Sequence, residues 1–153
     1  MGSSEMAWLL TELGISSKSI KYESSFDDRL KVQKGTFLLN YLDVAPFNGF
    51  SFDMYLSGPY SRAVTAEYYS LEGVPPDEPS GISETERNLL HWFTDHDTVW
   101  LEIASSILLI KSDDKDLQSM DVLKILLTSK PWVKVKMFLE IYSELADHGL
   151  IKP

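Results

Sequence analysis

Few side chains in this sequence have the type and spacing that chemistry requires. Three histidines occur, His91, His96 and His148, and the string His91-Trp92-Phe93-Thr94-Asp95-His96-Asp97 sets imidazoles beside carboxylates, the groups that ligate divalent metals or pass protons. Zinc sites use tighter recurring spacings, and no two histidines here stand four residues apart on a helix. Asp95 and Asp97 also fall where a helix needs an N-terminal cap, which accounts for them without a metal. His148 sits at a helix C-terminus, where the helix dipole favours a cation. No serine lies in a Gly-x-Ser-x-Gly elbow. The absence of cysteine removes disulfides, thiolate metal sites, iron-sulfur clusters and thiol nucleophiles together. The eight glycines are scattered singly, forming neither a dinucleotide fingerprint nor a phosphate loop. Asp27-Asp28 and Asp113-Asp114 lie at polar helix starts, where capping explains them better than acid-base catalysis. The expectation is a non-enzymatic protein with no catalytic residues, no metal and no cofactor.

The most distinctive local string is Gly58-Pro59-Tyr60-Ser61-Arg62, a rigid turn that delivers a tyrosine, a capping serine and an arginine to a helix start. Free backbone donors and the dipole make such starts attractive to anions, and Arg62 would add a fork of donors. A turn plus cap, with Tyr60 packed as a wedge, explains the same string structurally. Tyr60, Ser61 and Arg62 are therefore candidate binding residues. Lys31 and Lys34 join them, from a cluster with Lys18, Lys21 and Arg29 that could form a local basic patch. A second such cluster is Lys130, Lys134 and Lys136. Acidic neighbours accompany both, and a mixed solvated surface is their plainer reading.

The formal charge is -9, and its position matters more than its size. Residues 43 to 110 carry two basic and 11 acidic side chains, while the flanking stretches are balanced. DNA binding through phosphates needs a positive surface, so the overall charge disfavours nucleic acid. An acidic middle instead suits a protein partner.

The elements that must position these residues are mostly helices. A stripe of Met6, Leu9, Leu10 and Leu13, with Ser3 or Ser4 as cap and Gly14 as terminator, predicts a first helix. Ser25 or Asp27 opens a second, carrying Leu30, Phe37, Leu38 and Tyr41, with Gly35 marking a close helix contact. Phe50, Phe52, Met54 and Leu56 recur every second residue, as in a strand. The only short candidates to pair with it are the segments near Ile20 to Tyr22 and Leu150 to Lys152, and Gly58-Pro59 ends the run. A short helix from Ser61 to about Leu71 follows, then the proline-rich loop Val74 to Gly81. Ser83 and Glu86 form a capping box. Asp95 or Asp97 opens an all-round apolar helix from Val99 to Ile110, which should lie at the centre. A short helix around Val122 to Leu127 comes next. The last helix has Pro131 in its first turn and Gly149 at its left-handed end.

Residues 1 to 153 should thus fold as one mainly α, compact multi-helix domain with at most one short strand pair, the usual size for a single core. No apolar run approaches the roughly 18 residues a membrane span needs, and Met1 to Glu5 lacks the basic start of a signal peptide. A soluble cytoplasmic protein with no membrane contact is expected.

Two blocks carry a family resemblance. Asp28-Arg29-Leu30-Lys31-Val32-Gln33-Lys34-Gly35-Thr36-Phe37-Leu38-Leu39, followed by Phe50-Ser51-Phe52-Asp53-Met54-Tyr55-Leu56-Ser57-Gly58-Pro59-Tyr60-Ser61, resembles the pattern of the small prokaryotic YwgA-type proteins. More distantly, the blocks are similar to the Panacea (SocA-like) antitoxin domain, over about residues 26 to 71. Departures from the pattern are Val32, Gly35 and Ser57. The resemblance implies a mostly helical cytoplasmic domain, some of whose relatives neutralise toxins or act as adaptors, and it brings no catalytic residues. A protein-interaction or regulatory module, antitoxin-like, is the first functional expectation. The alternative is a winged-helix-like DNA-binding transcription regulator. There Ser143 to Ile151 resembles the segment leading into a wing, Lys130, Lys134 and Lys136 approach phosphates, and Pro153 comes too early for a complete wing.

Overall fold

The computed structural model describes residues 3–153; Met1 and Gly2, part of the stretch read for a signal peptide, lie outside them. Among the described residues are seven α-helices: α1 Ser3–Glu12, α2 Phe26–Tyr41, α3 Arg62–Tyr68, α4 Glu84–Thr94, α5 Thr98–Asp113, α6 Ser119–Ser129 and α7 Val135–Asp147. One antiparallel hairpin, β1 Asp53–Tyr55 and β2 Gly58–Tyr60, joins them. The fold is therefore mainly α with a single strand pair. Among the described residues no helix is long and apolar enough to cross a membrane.

Two helices make the centre. α5 is apolar on almost every face and buries Trp100, Leu101, Ile103, Ala104, Ile107, Leu108 and Ile110. It packs on α2, α6, α7 and β2, so it is surrounded, as its composition requires. α2 buries Leu30, Val32, Phe37, Leu38 and Leu39 and packs against both α5 and α4. Each such large aliphatic or aromatic side chain contributes about 1.5 to 3 kcal/mol by leaving water. Gly35 lies in contact with its neighbours: a Cβ there would lie 3.4 Å from Leu13 Cδ1 and 3.4 Å from Leu90 Cδ1.

The helix ends follow local chemistry. Ser83 and Glu86 form the expected reciprocal capping box on α4, and Asp97 Oδ1 accepts from Trp100 N–H at the start of α5. Gly14 and Gly149 take the left-handed conformation after α1 and α7. The amides of Ile15 and Leu150 then return to Leu10 O and Leu145 O, which closes both helices.

Four local expectations are corrected. Asp113 and Asp114 lie at the C-terminal end of α5 and not at a helix start. The period-two run pairs with Gly58-Pro59-Tyr60 itself, through the two-residue turn Leu56-Ser57, and not with residues near Ile20 or Leu150. Proline is tolerated in β2 because a two-stranded ribbon leaves each strand one edge that needs no donor. Ser3 and Ser4 lie inside α1 and do not precede it. The last helix begins at Val135 after Lys134, so Pro131 belongs to the preceding turn.

Candidate functional site

The second half of the resemblance block supplies a hairpin, and the first half supplies what holds it. From α2, Gln33 donates through Nε2 to Ser61 O at 2.9 Å, while its Oε1 accepts from Ser61 N–H at 3.0 Å. From the next residue, Lys34 Nζ donates to Pro59 O at 2.8 Å. From the end of α6, Lys130 Nζ donates to Leu56 O at 2.8 Å and forms an ion pair with Glu102 Oε2 of α5 at 3.1 Å. Three polar side chains from two helices thus fix a ribbon too short to be stable alone. Gly58 completes the attachment, since its φ of 97° disfavours a side chain and its close approach to α5 crowds one: a Cβ would lie 3.1 Å from Ser106 Oγ and 3.2 Å from Glu102 O.

Between this hairpin, α2 and α3 lies a cleft of about 370 Å³. Leu30, Tyr60 and Tyr68 line it together with Phe26, Tyr55, Leu56 and Tyr69, the last four substantially exposed. Tyr55 meets Tyr60 edge to face at 5.2 Å, and Tyr68 meets Tyr69 at 4.9 Å. Leu56, at the tip of the hairpin, is 95% exposed. The polar groups in the lining are Arg29, Gln33, Lys34, Ser57 and Thr65, besides the phenols. No carboxylate is among them, although the chain carries 23.

Hydrogen bonding orders the floor. Thr65 Oγ1 accepts from Gln33 Nε2 at 3.0 Å and also meets Tyr60 Oη at 2.7 Å and Tyr68 Oη at 3.3 Å. A hydroxyl has one proton and two lone pairs. With Gln33 on one lone pair, one tyrosine donates to Thr65 and the other accepts from it. Burial pushes the Tyr68 phenol up from its ordinary value, against the opposing bond from Thr65, so it stays protonated at neutral pH. Lys34 is only 2% exposed. Burial lowers its ammonium to about 7, with Glu102 pulling the other way and Lys130 adding to the lowering. Arg29 is held at the edge, Nη1 donating to Ile20 O and Tyr22 O.

Of the residues singled out from sequence, Tyr60 and Lys34 meet in this cleft, while Lys31 and Arg62 are not part of its lining. Lys34 is a buried anchor and not part of a surface patch. Ser61 is also buried, and its side chain makes no capping bond on α3. Its amide is already engaged by Gln33, and the seven-residue α3 gives no built anion site at its start. Lys130, expected to approach phosphates, is 1% exposed and paired with Glu102. The only sheet among the described residues is β1-β2, so no strand pair follows α7 as a wing would. Sequence reasoning missed that Arg29, Tyr55, Tyr68 and Tyr69 line one cleft with Tyr60; a signal was present in the excess of tyrosine between residues 55 and 69.

His91 stands apart from the other two histidines, which both pack against Trp92. His91 Nε2 lies 3.6 Å from Glu12 and His96 Nε2 lies 3.8 Å from Glu144, while the rings of His96 and His148 stack on Trp100 and Trp92 at 3.5 Å. Among the described residues no group of three or more His, Asp or Glu side chains could hold a metal ion. Compared with known proteins, the chain matches no family model, no curated protein and no solved structure.

Proposed function

We propose that this chain is a non-enzymatic protein-interaction or regulatory module, antitoxin-like as its resemblance to the Panacea (SocA-like) domain implies, and that it takes its partner at the aromatic cleft and hairpin tip. The observation that carries this reading is Leu56. A leucine 95% exposed contributes almost nothing to folding, yet the turn that presents it is tied down by Lys130 from below and by Lys34 and Gln33 alongside. Phe26, Tyr55 and Tyr69 extend the exposed apolar surface around it. Contiguous apolar patches of this kind mark interaction sites, and tyrosines are typical anchors within them. A rigid presentation also lowers the ordering cost that binding must overcome.

The reading is tested by capture from an extract of the source organism, comparing the native chain with Leu56→Asp and with Ile125→Asp, an exposed apolar position on α6 outside the cleft. A stoichiometric partner should be retained by the native chain and by Ile125→Asp and lost with Leu56→Asp. Recovery of the native chain alone, or retention of the partner by Leu56→Asp, contradicts it.

A further inference from the structure

We propose that the cleft is a receptor for a chain end: the free carboxylate of a partner's C-terminal residue meets the donors at its floor, while that residue's apolar side chain packs among the tyrosines. The inference rests on the preceding reading of the cleft as the interaction face and names what the partner presents there.

The lining has a surplus of donors. Lys34 carries two N–H groups as an amine and three as an ammonium, and it makes one hydrogen bond among the described residues, to Pro59 O. A guanidinium has five, and the described bonds of Arg29 all leave from Nη1, so Nε and Nη2 have no protein acceptor among the described residues. Whichever of Tyr60 and Tyr68 accepts from Thr65 keeps its own O–H proton for another partner. Gln33 adds no surplus, because both protons of its amide are already engaged.

Acceptors are missing from the same surface. No lining residue is a carboxylate, and Glu102, the carboxylate acting on Lys34, is paired with Lys130 at 3.1 Å. In a chain of net charge -9, a lining that holds Arg29 and Lys34 and no carboxylate is complementary to an anionic ligand. The larger groove of about 850 Å³ near the end of α5 lacks this bias, since it mixes Asp113 and Asp116 with Lys111, Lys115 and Lys152. Lys111 is itself held by Lys115 O and Leu117 O.

The apolar wall decides the form of the anion. An internal Asp or Glu places its nearest apolar neighbour on another Cα, about 3.8 Å along the chain, and in an extended peptide that neighbour points to the opposite face. A C-terminal residue carries carboxylate and apolar side chain on one Cα, matching donors and aromatic wall inside one small space. About 370 Å³ is at the lower end of ligand sites, and a whole helix of about 10 to 12 Å diameter does not enter it.

The test compares N-acetyl-leucyl-phenylalanine with its C-terminal amide by calorimetry and by backbone amide shifts in the native chain. The free acid should bind about tenfold or more tightly than the amide, the difference of about 1.4 kcal/mol or more that charge-assisted hydrogen bonds supply, and should shift residues 29–34 and 55–60. Lys34→Gln should reduce the acid to the affinity of the amide. The paired change Tyr60→Phe with Tyr68→Phe keeps the aromatic wall and should weaken the acid alone, so the comparison survives if Lys34→Gln does not fold. Equal binding of acid and amide, no shift in the cleft at millimolar peptide, or equal binding of an amidated peptide with an internal glutamate overturns the proposal. If it fails while Leu56→Asp still abolishes partner capture, the chain end is wrong and the interaction face stands; the face itself fails when the native chain captures no partner or when capture survives Leu56→Asp.

Discussion

Lys34 is a lysine made poorly basic by its surroundings. Burial among α2, the hairpin and α5 brings its ammonium from 10.5 to about 7, Glu102 of α5 opposing the change and Lys130, at the end of α6, reinforcing it. Between about pH 7 and pH 10 the unfolded chain holds a proton that the native chain releases, so stability rises with pH through that window. Below about pH 7 the cost of charging Lys34 is fully present. Above pH 10 the sign reverses, because burial pushes the phenols of Tyr41, Tyr68 and Tyr142 up and the native chain keeps protons that the unfolded chain loses. Urea unfolding across this range should show stability climbing from pH 7 towards pH 10. In Lys34→Met the climb should be much flatter, with an offset from the donor lost at Pro59 O. The same slope in both proteins would contradict the burial assigned to Lys34.

At the scale of the element, the hairpin is the part most dependent on its neighbours. It has three residues in each strand, and what holds it is contact with α2, α5 and Lys130. Gly58→Ala should therefore cost about 1 to 3 kcal/mol, since a Cβ there meets both an unfavourable φ and the α5 backbone. Gly49→Ala, where a Cβ has open space and φ is not positive, should change stability by no more than about 0.5 kcal/mol. Chemical denaturation of the two variants measures the difference, and equal effects would mean that the hairpin does not pack on α5 as described. The contrast also explains how far the sequence could be read. Ser83 with Glu86, Asp97, Gly14 and Gly149 act on residues within a few positions, so their patterns are visible in the string itself. Lys34 and Lys130 look like surface cations because their acceptors lie 25 and 74 positions away, and nothing local records that they are covered. Gly58-Pro59 signals a break for the same reason, since its strand character depends on β1 folding back onto it. Tyr60 stands out in the Gly58 to Arg62 string and Lys34 in a basic cluster, but the cleft they share is assembled from α2, the hairpin and α3, and only the fold brings those together.

Across the whole molecule, charge and apolar surface are distributed unequally. The acidic excess lies in residues 43 to 110, yet the cleft built largely from that stretch and α2 has no carboxylate in its lining. The exposed apolar residues are not confined to it, because Met120, Ile125, Trp132, Val135 and Leu139 also reach solvent. What sets the cleft apart is that aromatic walls, unmatched donors and a fixed, fully exposed leucine occur together. The proposal that a partner is held there is tested by site-directed photo-crosslinking. A photoreactive phenylalanine in place of Tyr69, compared with one in place of Ile125, should yield one crosslinked partner from position 69 alone, and the product should vanish when Leu56→Asp is added. Equal crosslinking from position 125, or a product at 69 that persists with Leu56→Asp, would contradict the account.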